Sequence, residues 1–206
     1  MKSSYQNKPF SEWKAITENL LAHHPINQEE IVQIILDAWE GIFNSKICGF
    51  QIGKDIFPNP QMLGYFIETI TAANLAKKYP KIWKHGKEKN EKDIVSLLDE
   101  DYSIEIKSSS SAKQIFGNRS YAQEQSEKAI KNKSGFYLTI NFEKFKELDE
   151  NHKPLITLIR IGFVEHSDWR AQKSEKGQQA NLAPEVYKNK FITLYEIQKL
   201  YSAKIK

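Results

Sequence analysis

Apolar positions recur along this chain in two periods, and the change of period marks out its elements. Trp13, Ile16, Leu20 and Leu21 share a face over residues 11–24, with Ser11 placed to cap the helix. Ile31, Ile34, Ile35, Ala38, Trp39 and Ile42 form a fuller stripe over residues 28–43. Asn27 followed by Glu30 has the form of a capping box ahead of it. A third helix is predicted from Asn59, its cap, through Pro60 to Tyr79, where Pro80 ends it. Beyond that point the period falls to two. Strands are predicted at 93–98, 102–107, 136–142 and 155–164, with a short one at 81–85. A polar helix at 120–132 separates the second and third of these, and a helix plus strand cover 184–195. The stretches Cys48–Pro60 and Gln172–Asn181 read as loops.

Strands interleaved with helices give an α/β chain with a mixed, α+β type of sheet. We expect an N-terminal helical subdomain and loop over 1–58 and the main core over 59–206. With 206 residues and 40% of them hydrophobic, the core needs no covalent staple. The single cysteine, Cys48, excludes an internal disulfide and is expected to be a small buried apolar group. The histidines show no ligand spacing. A net charge of +4 permits an anionic partner without requiring one. No apolar run approaches the ~18 residues of a membrane span, and the N-terminus lacks the pattern of a cleaved leader. A cytoplasmic protein without a membrane partner is expected.

One short stretch carries recognisable chemistry. Phosphodiester hydrolysis needs negative charge neutralised on the phosphate and a deprotonated water, and a divalent cation on carboxylates supplies both. A nearby ammonium positions the water and stabilises developing charge. Lys92-Asp93-Ile94-Val95 followed by Ile104-Glu105-Ile106-Lys107 offers these groups on two successive strands. Tyr102, Ile104 and Ile106 are expected on one face, with Ser103, Glu105 and Lys107 on the other. If Asp99-Glu100-Asp101 is a three-residue hairpin loop, Leu98 pairs with Tyr102 and Asp93 lies opposite Lys107. Glu-x-Lys also stands at Glu12–Lys14, on a helix face read as solvated. Glu68 shares a helix face with Gly64, Thr71, Ala72 and Leu75, which puts a further carboxylate near a packed surface.

This order of elements resembles the PD-(D/E)XK nuclease superfamily, with its restriction-endonuclease-like αβββαβ core. More narrowly, the chain resembles the ScaI-type restriction endonucleases. The matching segments are Leu63-Gly64-Tyr65-Phe66-Ile67-Glu68-Thr69, Lys92-Asp93, Tyr102-Ser103-Ile104-Glu105-Ile106-Lys107-Ser108-Ser109 and Gln114-Ile115-Phe116-Gly117-Asn118-Arg119-Ser120-Tyr121-Ala122. Lys92 stands where the superfamily pattern has proline. The resemblance implies a homodimeric type II enzyme that uses Mg²⁺ to cut both strands of DNA at a short palindrome, leaving 5′-phosphate and 3′-hydroxyl ends. It also implies catalytic roles for Asp93, Glu105 and Lys107, with Glu68 as an additional acid and Asp93, Glu105 and the Ile106 carbonyl as metal ligands. A structure-specific repair or recombination nuclease, or a non-catalytic DNA-binding relative, are the alternatives.

Polar groups next to the catalytic strand are candidates for contacting DNA. They are Ser108, Ser109, Ser110, Lys113, Gln114, Asn118, Arg119, Ser120 and Tyr121. A second set lies in the later loop: Gln172, Lys173, Gln178, Gln179 and Asn181. The aromatic residues are read mostly as core, and no stacking platform for single strands is seen.

Overall fold

The computed structural model describes residues 4–123, 133–145, 153–172 and 177–197. Helix α1 (Phe10–Ala22) starts one residue earlier than expected, with Pro9 at the cap and no side-chain cap from Ser11. In α2 (Gln28–Asn44) the Asn27 side chain accepts from Glu30 N–H at 3.0 Å, as its spacing predicts. The Glu30 carboxylate turns instead to Lys78 and Tyr79. A small hairpin of β1 (Lys46–Ile47) and β2 (Phe50–Gln51) follows. Here Cys48 takes a left-handed turn conformation (φ 52°) and is exposed, which corrects the expectation of burial. Helix α3 (Pro60–Lys78) is capped by Asn59 on Met62 N–H.

The main sheet begins with β3 (Trp83–His85), β4 (Ile94–Ser96) and β5 (Ile104–Ser109). It continues in β7 (Gly135–Phe142), β8 (Ile156–Val164) and β11 (Phe191–Glu196), in the spatial order β11-β8-β7-β5-β4-β3. All its pairings are antiparallel except β5 with β7, which is parallel. A second, three-stranded sheet is formed by β6 (Phe116–Asn118), β9 (Trp169–Ala171) and β10 (Gln179–Leu182), with β10 in the middle. Helix α4 (Pro184–Asn189) precedes β11. This is a mixed restriction-endonuclease-like α/β fold with N-terminal helices. Among the described residues, no helix is long and apolar enough to cross a membrane.

Alternation along the central strands gives the sheet two different faces. Ile104, Ile106, Phe136, Leu138, Ile140, Ile159, Ile161 and Phe163 point to one side and share a continuous apolar core with α2 and α3. The opposite side carries Tyr137, Val164 and Phe191, which pack with Ile115, Trp169 and Leu182. The second sheet therefore covers part of the face on which Glu105 and Lys107 stand.

Two expectations are corrected here. The stretch Gln172–Asn181 is not a loop throughout, because Gln179, Ala180 and Asn181 pair with Asn118, Gly117 and Phe116. Of the helix expected at 120–132, residues Arg119–Ala122 form a 3₁₀ turn and 124–132 lie outside the described residues.

Candidate active site

The site arises where β4 stops short. Among the described residues its only ladder pair with β5 is Ile94↔Ile104, and none of them supplies a strand partner to the edge of β5 beyond that point. Backbone N–H groups at alternate positions point to the same side of a strand, so those of Ile106 and Ser108 face this gap. Two carboxylates fill it. Asp93 Oδ2 accepts from Ile106 N–H at 2.6 Å. Glu68 Oε1 accepts from Ser108 N–H at 2.8 Å and from Ser108 Oγ–H at 2.7 Å. The acids are thus held along one strand edge by hydrogen bonds that the fold itself requires.

The register differs from the one expected. Residues Glu100–Tyr102 form a 3₁₀ turn in which Asp99 caps Asp101 N–H, so Tyr102 belongs to the connection rather than the strand. The connection is longer than a three-residue loop, and Asp93 lies opposite Glu105 instead of Lys107. This slip moves the pairing by two positions and so keeps the same face. Asp93, Glu105 and Lys107 still converge.

Glu105 is 3% exposed, and its Oε1 accepts from Lys107 Nζ and Tyr121 OH, each at 2.7 Å. Lys107 Nζ also donates to the Ile106 carbonyl at 3.2 Å. Burial alone would lower the Lys107 pKa. Glu105 most of all, then Tyr121, Asp93 and Glu68, hold it well above the ordinary lysine value, so it is an ammonium. Burial pushes the Glu68 carboxyl up, and Asp93 adds to that, against the pull of Lys107 and Ser108. Burial likewise raises the Tyr121 phenol, so it stays protonated and donating. Two lysine side chains stand over the ring of Tyr121, Lys107 Nζ at 5.4 Å and Lys133 Nζ at 5.3 Å from its centroid.

Close backbone approaches position these elements. A Cβ on Gly64 of α3 would stand 2.6 Å from Ser108 Oγ, so the missing side chain is what lets α3 bring Glu68 to β5. Lys92 donates to the Ser134 carbonyl at 3.0 Å, tying the strand end that carries Asp93 to the start of β7. Gly135 there has φ 139°, and a Cβ on it would overlap Lys92 Nζ.

The residues expected to meet DNA divide into three groups. Ser108 serves Glu68, and Tyr121 donates to Glu105, a contact that sequence reading missed because it depends on register. Ser109 Oγ accepts from Ser111 N–H at 3.0 Å, in a turn that runs past Ser110 to Lys113 and Gln114. The carbonyls of Lys113 and Gln114 bond to Arg160 and Asn141. Asn118, Arg119, Ser120, Gln172, Gln178, Gln179 and Asn181 gather on and around the second sheet. There Arg119 Nη1 donates to the Gly177 carbonyl at 3.0 Å, and Gln172 Nε2 to Gln179 Oε1 at 3.2 Å. Lys173 lies outside the described residues.

A buried carboxylate and an ammonium stand on a central strand of a restriction-endonuclease-like fold, with two further acids at its open edge. A model of the "ScaI restriction endonuclease" family matches residues 3–195. The chain is 38% identical over 194 residues to the Type II restriction enzyme ScaI of Streptomyces caespitosus, covering 94% of this chain and 85% of that protein. The chain belongs to the ScaI restriction endonuclease family. It is a restriction enzyme, a site-specific deoxyribonuclease.

Proposed function

We propose that this restriction endonuclease is a PD-(D/E)XK enzyme that acts as a homodimer on a short palindrome in double-stranded DNA. It would use Mg²⁺ and leave 5′-phosphate and 3′-hydroxyl ends. The observation that carries the reading is the convergence of Asp93, Glu105 and Lys107 at the open edge of β5.

The donor set fits a small hard cation. Asp93, Glu105 and the Ile106 carbonyl are oxygen donors, and Mg²⁺ commonly takes one or two carboxylates while keeping several waters. Among the described residues, no three His, Cys, Asp or Glu side chains form a group that could hold a metal. A site of two carboxylates, one carbonyl and water is therefore the form this chain suits. When bound, the cation supplies Lewis acidity to the phosphate and lowers the pKa of water.

The chain's own groups do the rest. Asp93 and Glu105 would hold the cation with their carboxylate charge. Lys107, kept protonated by its neighbours, orients the attacking water and stabilises charge on the phosphate. Water adds to phosphorus in line with the O3′ leaving group, the P–O3′ bond breaks, and the leaving oxygen ends as a hydroxyl. Glu68 holds the strand edge at Ser108 and stands within electrostatic reach of Lys107. DNA contacts are assigned to Lys113, Gln114, Asn118, Arg119 and Ser120, and to Gln172, Lys173, Gln178, Gln179 and Asn181. Cutting two strands at a palindrome calls for two copies of the site related by a two-fold axis.

The test is digestion of plasmid DNA with Mg²⁺ or EDTA by the parent and by Lys107→Ala. Discrete bands from the parent with Mg²⁺, and none from the variant despite retained binding, are expected. Equal cutting by both proteins would overturn the role of Lys107. Sequenced ends of the digest give the recognition site and the stagger together.

A further inference from the structure

A second basic feature lies two strands away from the catalytic lysine on the same face. The pairings Lys107↔Thr139, Thr139↔Arg160 and Arg160↔Thr193 set these residues in one row across β5, β7, β8 and β11. Two strand spacings place Arg160 ~10 Å from Lys107 across the sheet. Arg160 is 5% exposed. Its Nη2 donates to the Lys113 carbonyl at 2.7 Å and to Asn141 Oδ1 at 3.1 Å, while its buried Nε–H has no partner among the described residues. The guanidinium lies against the rings of Tyr187 at 5.0 Å and Phe191 at 5.5 Å.

A buried cation is ordinarily matched by a carboxylate. Among the described residues none forms an ion pair with Arg160. Burial lowers its pKa, with Tyr187 and Glu196 acting against this electrostatically. Glu196 is itself engaged by Lys113 at 3.9 Å. Above Arg160 opens a groove of about 660 Å³, lined also by Lys14, Lys113 and Lys188, with Glu18 and Glu196 as its carboxylates. Four cations against two anions leave the groove positive. The segment that leaves the catalytic strand forms part of its wall through Lys113 and Gln114, and Asn141 Nδ2 holds that segment by donating to the carbonyls of Ser111 and Gln114.

We propose that this groove is an anion site that seats a backbone phosphate of the DNA duplex, close to the phosphate cut at Lys107. The proposal rests on the nuclease reading above. The guanidinium, without an ion pair among the described residues, supplies the charge, the rim lysines add attraction over a longer range, and the wall segment couples the contact to the catalytic strand.

The test uses a duplex carrying the cleavage site, with affinity measured by fluorescence anisotropy in EDTA over a salt series. Lys14→Ala/Lys188→Ala changes only exposed side chains and should leave the urea midpoint of unfolding unchanged. Its slope of log affinity against log salt should be shallower than the parent's by about 1 to 2, because each phosphate contact contributes ~0.9. A slope equal to the parent's overturns the proposal. Inorganic phosphate that raises the parent's melting temperature but not the variant's, with equal DNA slopes, would assign the groove to a free anion and likewise overturn it. Digestion of the same duplex with Mg²⁺ is run alongside. No cutting by the parent counts against the nuclease reading, whereas cutting with unchanged slopes counts against the groove alone.

Discussion

The contact between Gly64 and Ser108 yields a prediction whose sign changes with background. Replacing glycine by alanine inside an exposed helix usually stabilises by about 0.5–1 kcal/mol. Here the new methyl would meet Ser108 Oγ at 2.6 Å, so either the hydroxyl turns away or α3 retreats. Turning the hydroxyl breaks its bond to the Glu68 carboxylate, a charge-assisted contact of about 1.5–3 kcal/mol. Moving the helix is overpacking of about the same size. Gly64→Ala should therefore destabilise the parent by about 1–2 kcal/mol. In a Ser108→Ala background the obstacle is gone, and the next atom, the Cβ of residue 108, is at an unstrained 3.9 Å. There the same substitution should stabilise by up to about 1 kcal/mol. Urea unfolding of the four proteins measures the coupling, expected at about 2–3 kcal/mol. Cleavage should fall at least about tenfold in Gly64→Ala, since one response takes a hydrogen bond from Glu68 and the other draws it off the strand edge. An effect of Gly64→Ala equal in both backgrounds would refute the claim that this close approach positions Glu68.

Other outcomes are accessible to simple measurement. His24 is packed against Trp83, Tyr102 and Phe136 and accepts from Ile26 N–H, and burial lowers its pKa from 6.5 to about 4. A base whose folded pKa is depressed favours the folded state above its unfolded pKa. That contribution, about 3 kcal/mol, should be withdrawn as pH falls from 6.5 towards 4. In His24→Gln the corresponding part of the acid loss should vanish, and parallel pH–stability curves for the two proteins would contradict this. Tyr121→Phe removes one of the donors to Glu105 and should destabilise the cation-free protein by about 1.5–3 kcal/mol. Saturating Mg²⁺ should narrow that gap, because the cation offers the same carboxylate a replacement partner. A gap unmoved by Mg²⁺ would argue against Glu105 as a ligand.

Much of this architecture is legible in the sequence where a period runs long enough. The stripe of α2, the Asn59–Pro60 start of α3 and the alternation of β7 each appear where they were expected. The convergence of Asp93, Glu105 and Lys107 was also legible, because a shift of two residues preserves the face. The register itself was not legible. It depends on a 3₁₀ turn and on Ser103 Oγ accepting from Ser96 N–H at 3.1 Å, for which apolar spacing carries no signal. The second sheet was missed for a related reason. Its strands are three or four residues long, and β6 pairs with residues some sixty positions away, where no local pattern announces a partner. Tyr121 looked like a surface contact because its neighbours are polar, and only the folded chain brings its hydroxyl to Glu105.

The unfinished edge of β5 also bears on how the roles proposed for Asp93 and Glu68 should be tested. Bare strand edges invite pairing with other chains, and Asp93 and Glu68 are what cover this one. Truncating either to alanine removes an acid but also uncovers a backbone donor, so poor yield or clumping could be mistaken for a chemical defect. The amides Asp93→Asn and Glu68→Gln keep an oxygen that can still accept from Ile106 or Ser108. They silence the charge while leaving the sheet closed to its neighbours.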